Sequence, residues 1–204
     1  GLIEGQGGKI ECNAEVEEIL VDQGAVRGVR LADGRTLHSD LVVSNADAAW
    51  TYRHMIKPEH RKRWTDRKID RSHFSNGLFV WYFGTEGKYP DVPHHSVILG
   101  PRYKGLLDDI FKRKVLADDF SLYLHRPTET DPSLAPEGCD TFYALAPVPH
   151  LDADVDWHTD AESFKERICQ RLEETMLPGL RDRIVTSRLL SPHDFHDRLN
   201  SVKG

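Results

Sequence analysis

Ser121–His150 reads SLYLHRPTETDPSLAPEGCDTFYALAPVPH, and its pattern decides the class of fold. Two apolar, aromatic-rich runs, Phe120–Leu124 and Thr141–Ala146, enclose the turn formers Pro127, Asp131, Pro132, Pro136, Glu137 and Gly138. Runs of that kind bounded by Pro, Gly and Asp predict two strands joined by an ordered loop. Pro147 and Pro149 have no N–H to give to a ladder, so the second strand is expected to stop at Pro147. Taken alone, the pattern predicts a piece of an α+β fold, and most such strand pairs are scaffold.

Working outward, Val16–Val21 and Ala25–Leu31 alternate, Ala32-Asp33-Gly34 is a hairpin turn, and Thr36–His38 returns. Asp40–Asn45 is expected to continue the meander as a buried strand carrying Leu41, Val42 and Val43. Gly1–Gly8 reads as a helix end passing through glycine turns into a strand at Lys9–Asn13. Gly5 and Gly7 begin a G-x-G-x-x-G spacing, but Ile10 stands at the third position and strands follow, so a phosphate cradle is excluded there. Asn45 or Asp47 caps a helix over Ala48–Ile56, and a second spans Pro58–Arg67. Ser75–Phe83 has lost alternation and predicts a strand buried on both faces. Beyond it come a strand at His94–Gly100, a helix at Arg102–Lys112, and an amphipathic helix over Asp160–Met176. Ala161, Phe164, Ile168, Leu172 and Met176 share one face of the last. Ile184–Leu190 reads as a strand, and Ser191 caps a final helix with Pro192 at its first position.

The chain has 204 residues and a net charge of −6, without the basic stripe that a nucleic-acid partner requires. Two short basic clusters, Arg61–Arg63 and Lys112–Lys114, are either solvated helix faces, the default, or lipid-headgroup contacts. The longest unbroken apolar run is Leu78–Phe83, far short of the ~20 residues of a membrane-spanning helix. Three cysteines, Cys12, Cys139 and Cys169, lack metal-ligand spacing and fit free thiols in a reducing compartment. A first residue of glycine and a last stretch of NSVKG are those expected of an internal fragment.

Eleven histidines invite metal hypotheses. His193 and His196 flank Asp194 at helical spacing but lack a third ligand motif, which favours a structural role. His94 and His95, as neighbours in a strand, are expected to face opposite sides and not to share an ion. Asp152, Asp154 and Asp156 alternate as in a calcium loop, without the Gly and Glu of an EF-hand. No G-x-S-x-G elbow or Cys–His pair is present. Arg126 and Asp131 could hold charge at a pocket rim; the plainer reading is a surface pair and an Asx turn. Tyr123, Phe142 and Tyr143 either line a channel for an apolar ligand or pack the core.

Several long stretches, in order, closely resemble the bacterial phytoene desaturases, FAD-dependent carotenoid dehydrogenases. They are VVSNAD (Val42–Asp47) with Thr51-Tyr52-Arg53, SNGLFVWYFG (Ser75–Gly84), GPRYKGLLDDIF (Gly100–Phe111) and FSLYLHRPTETDPSLAPEG (Phe120–Gly138). APVPH (Ala146–His150), MLPGL (Met176–Leu180) and SPHDFHDRLN (Ser191–Asn200) continue the likeness, which is greatest to the enterobacterial type that takes phytoene to lycopene. The resemblance implies an α/β (α+β mixed) fold. Residues 1–47 would be part of a Rossmann-like FAD-binding domain, and residues 48–204 an incomplete substrate domain on an interleaved mixed sheet. It implies an enzyme of carotenoid biosynthesis that introduces double bonds into phytoene by hydride transfer to FAD, with quinone or oxygen as electron acceptor. It also implies peripheral attachment to a membrane lipid surface from the cytoplasm, because the substrate dissolves only in lipid. In related flavoproteins a valine backbone in the strand after the GG turn contacts the adenine of FAD, and by position Val16 corresponds. The family's N-terminal strand–GxGxxG–helix is not in this sequence, so the fragment alone is expected neither to hold FAD firmly nor to turn over. Related activities (carotenoid isomerase, ketolase or diapocarotenoid desaturase) and a noncatalytic carotenoid- or lipid-binding module are the alternatives.

Overall fold

In the computed structural model, which describes residues 1–204, the chain divides into two units, Gly1–His73 and Phe74–Gly204. The first is built on the predicted meander: β1 (Val16–Asp22), β2 (Ala25–Leu31) and β3 (Thr36–His38) form a three-stranded antiparallel sheet in that order. Gln23 and Gly24 join β1 to β2 with positive φ at both positions, the twist that a two-residue hairpin needs. Gly28 in β2 has φ 130°, and a Cβ there would lie 2.0 Å from the Leu37 carbonyl oxygen, so only glycine lets β3 approach. Short helical pieces follow: α2 (Ala48–Trp50), capped by Asp47 and running into a π-turn at Thr51–Met55, and α3 (Asp66–Asp70), capped by Thr65. A four-residue helix, α1 (Leu2–Gly5), opens the unit.

Several expectations change here. Asp40–Asn45 is not a strand: Leu41 is 74% and Val43 85% exposed, because no partner strand for this apolar run is among these residues. Lys9–Asn13 is likewise irregular and exposed, and Pro58–Arg67 breaks into a 3-10 turn at Pro58–His60 followed by α3. The expected division at residue 47 falls inside the first unit. The segment after Asp47 packs on the meander, where Lys57 reaches back to the buried carboxylate of Glu18 at 2.9 Å.

The second unit is one five-stranded sheet in the order β5-β6-β7-β4-β8. Its strands are β4 (Gly77–Glu86), β5 (His95–Ile98), β6 (Leu122–His125), β7 (Cys139–Val148) and β8 (Ile184–Leu190). Every pairing is antiparallel, so the sheet expected to be mixed is not mixed within these residues. One face presents Phe79, Trp81, Phe83, Leu122, Leu124, Phe142, Ala144 and Ala146, all buried. Across it lies α5 (Trp157–Thr175), which begins where the Asp156 carboxylate accepts the His158 N–H and buries Ala161, Phe164, Ile168 and Leu172. Phe164 meets Phe79 edge-on at 5.1 Å and Phe120 at 5.1 Å, joining helix to sheet. Each such side chain contributes about 1.5–3 kcal/mol by leaving water.

β7 runs through Pro147 rather than stopping there. Pairing with β6 ends at Leu145 while pairing with β4 continues to Val148, so the proline nitrogen falls on the side that β6 has already left. The remaining elements close the unit. α4 (Tyr103–Asp108) extends through a π-turn at Asp109–Arg113, α6 (Leu180–Arg183) precedes β8, and α7 (Pro192–Leu199) starts at a Ser191–Asp194 capping box.

Candidate functional site

The face of the five-stranded sheet away from α5 carries two cross-strand rows that follow from the registers. Arg188, Tyr82, Tyr143, His125 and His95 stand directly opposite one another in turn across β8, β4, β7, β6 and β5. Two residues along, Leu190, Val80, Leu145, Tyr123 and Val97 form the second row. Direct opposition on one face brings side chains within contact range, which makes each row a continuous band. The rings confirm it: Tyr82–Tyr143 centroids are 5.6 Å apart, Tyr143–His125 4.7 Å, and His125–His95 5.0 Å and nearly parallel. Tyr82 is 43% exposed, and Tyr123, Tyr143 and Leu145 are half-buried. These rows make an apolar, aromatic wall with polar tips and no carboxylate.

Burial acts on the tips. Tyr143 is pushed up to about 12 by burial first and by its hydrogen bond to Tyr123 second, so it stays a neutral phenol. His125 is held below the ordinary imidazole range by burial and by its neighbours His94 and His95, which keeps it neutral too. Arg188 on β8 carries a charge at one end, whereas the neutral aromatic and aliphatic groups on β4, β7 and β6 suit an uncharged, apolar ligand.

The two channel candidates Tyr123 and Tyr143 lie on this wall, while Phe142 faces the other way, stacked on Phe83 at 5.1 Å in the core. Alternation along β7 separates them. Arg126 is neither a rim charge nor a surface residue. It is buried, donating through Nε to Asp140 at 3.0 Å and through Nη1 to the Val92 carbonyl and to Glu129. Asp140, 1% exposed, also accepts from the Tyr89 N–H and the Thr128 hydroxyl, so this knot locks the signature loop beneath the wall. Asp131 makes the Asx turn, accepting from the Ser133 N–H at 3.1 Å.

The metal candidates sort differently from their spacing. His196 turns to the Ser201 carbonyl, His193 stacks on His158, and Asp194 is spent on the helix cap. Asp152 is paired with Lys203, which stands where a cation would. His94 and His95, expected on opposite sides, instead meet, their rings 4.1 Å apart. β5 begins only at His95, so strand alternation has not set in at His94. Nothing in the spacing could have added His125, which arrives through the β5–β6 register.

Val16 is half-buried at the start of β1, the outermost strand of its sheet. The Glu15 carbonyl accepts from Ala32 N–H at 2.9 Å, and the peptide is trans. The Val16 N–H therefore points to the edge of the sheet that no strand covers.

Residues 2–201 match the model of the family described as flavin containing amine oxidoreductase. The chain is 52% identical over its whole length to the neurosporene-forming phytoene desaturase of Cereibacter sphaeroides, and 49% identical over 97% of its length to the lycopene-forming phytoene desaturase of Pseudescherichia vulneris. It spans 40% of the length of each. Among solved structures, an oxidoreductase from Methanosarcina mazei shares the fold with a TM-score of 0.62 at 22% identity, over 92% of this chain and 39% of that one.

Proposed function

We propose a function from one premise: this chain belongs to the family of flavin-containing amine oxidoreductases. The protein it comes from is a phytoene desaturase, and the wall of Tyr82, Tyr143, Tyr123 and Leu145 is the surface along which the polyene lies. One observation carries this: a broad aromatic and aliphatic face without a carboxylate, its Tyr143 held as a neutral phenol, in a chain 52% identical to such an enzyme. The cofactor is FAD. The residues present fit it at a single point, the outward N–H of Val16, which has the geometry to donate to an adenine nitrogen at the sheet edge. No glycine-rich strand-to-helix turn for the pyrophosphate lies in these 204 residues. When bound, the flavin supplies the acceptor for hydride leaving a CH–CH unit.

The part of the work done by this chain is positional. The aromatic rows exclude water and bury the chain of a flexible polyene, and the Arg126–Asp140 knot holds the strands that carry them. Quinone or oxygen would serve as the final electron acceptor. No helix is long and apolar enough to cross a membrane. A lipid-facing surface is supported instead by exposed Tyr103, Phe111 and Val115 beside Lys104, Lys112 and Arg113 on α4 and its π-turn, as for an interfacial anchor on a cytoplasmic leaflet.

The test is to express the full-length protein in a host that accumulates phytoene and to identify the products chromatographically. Neurosporene or lycopene is expected, and unchanged phytoene would sink the assignment. Tyr143→Ser in the same host is expected to cut product formation on the order of tenfold while the protein keeps its flavin.

A further inference from the structure

His94, His95 and His125, the last two at the end of the first row, form a cluster of ligating side chains. One ring nitrogen from each lies within 4.8 Å of the others. His94 Nε2 and His125 Nε2 are 2.6 Å apart, sharing one hydrogen. The opposite nitrogen of His94, Nδ1, is hydrogen-bonded to the Thr130 hydroxyl at 2.9 Å, and Nδ1 of His95 to the Tyr123 hydroxyl at 2.6 Å. Two of the three rings are thus oriented by a hydroxyl, and His94 turns its other nitrogen to His125. That is how metal-ligating histidines are ordinarily held. His125 adds a buried Nδ1 with no partner at all.

From this geometry we infer a site for a single divalent transition-metal ion of the zinc type, bound by His94, His95 and one nitrogen of His125, with solvent at the remaining position. Three imidazoles without thiolate or carboxylate select zinc, copper or nickel over magnesium and calcium. Zn–N bonds of about 2.0–2.1 Å place tetrahedral ligand nitrogens about 3.4 Å apart. His94 and His125 need to part slightly, and the nearly parallel His95 and His125 rings need to turn so that their nitrogens face one ion. His95 is exposed, so an ion reaches the cluster from solvent. The site ends the Tyr82–Tyr143–His125 row, so a bound ion would fix the lip of the wall where β5 meets β6.

The experiment uses the full-length protein without a histidine tag, stripped by chelator and titrated with Zn²⁺ by calorimetry. One equivalent is expected to bind, with a rise in Tm. His95→Ala, an exposed substitution that leaves the core untouched, is expected to weaken binding by more than 10-fold and abolish the Tm rise. Thr130→Ala is expected to weaken it by about 10-fold through loss of ring orientation. His38→Ala, in the other unit, is expected to bind as the wild type does. Failure of the wild type to take up one equivalent overturns the site, and so does full binding by His95→Ala. Neither result bears on polyene turnover, which the product assay reads separately.

Discussion

The two units hold together by different means. Phe74–Gly204 closes a continuous apolar core between one sheet face and α5, with Phe79, Trp81, Phe164, Ile168 and Leu172 all but sealed from water. Gly1–His73 buries little: Ile19, Leu31, Ala49 and Ile69, with charged groups doing much of the joining. Glu18 is clamped by Arg30 at 2.6 Å and Lys57 at 2.9 Å, and buried Arg61 reaches Asp66 at 2.6 Å. Meanwhile Leu2, Ile3, Ile10, Leu41 and Val43 stand exposed. A sheet covered by a 19-residue helix is self-sufficient, whereas a three-stranded meander with thin cover depends on ion pairs that contribute little individually.

Breaking the core should therefore cost most. Phe164→Ala removes a ring touching Phe79, Phe120 and Trp157 and leaves a cavity in the second unit. A loss of about 3–5 kcal/mol is expected in denaturant unfolding of that unit. A loss under ~1 kcal/mol would mean the core is loosely packed and the contrast false. Asp140→Ala comes next. It takes the Nε acceptor from buried Arg126, which keeps only Glu129 and the Val92 carbonyl, and leaves the Tyr89 N–H and the Thr128 hydroxyl without theirs, at an expected cost of about 3 kcal/mol. Because the knot also pins the loop before β7, proteolytic nicking at Pro132–Gly138 should accelerate in that variant.

Which of these features the sequence discloses follows from how far each one reaches along the chain. Hairpins, caps and the α5 stripe depend on residues within a few positions of one another, and Asp33-Gly34, Asp47 and Ser191 announce them. The Leu41–Val43 run reads as a buried strand because apolar patterning records what a segment is made to cover with, not what covers it. Arg126 and Asp140 are 14 residues apart, and only the loop's return makes them partners. The aromatic wall needs three registers at once to put Tyr82, Tyr143 and His125 in line, while neighbouring Phe142 goes to the core. His94 departs from alternation for a local reason: it lies one residue before the strand begins. The likeness of long stretches to a known family supplied the activity, which no spacing of acids or nucleophiles in this chain could.

Acid should separate the two units by a smaller effect. His125 in the second unit is depressed by burial and by His94 and His95, with Tyr123 and Tyr143 as the other groups facing it. Below pH 6.5 the unfolded chain takes up a proton that folded His125 still refuses, so stability falls as pH drops from 6.5 toward the lowered folded value. His150, depressed by burial more than Asp152 raises it, adds to the same window. In the first unit the resolved shifts of acids act in the same direction but in a lower pH window. Asp33 and Asp66 lie below 3.8, held there by bonds from Arg35 and Arg61, and the stability they add is present above 3.8 and lost only beneath it. Hydrogen exchange between pH 7.5 and 5.5, corrected for intrinsic rates, is therefore expected to show protection falling in β6 and β7, and His125→Gln should flatten that fall. An unchanged slope in His125→Gln would show that the imidazole wall is not where the second unit feels acid.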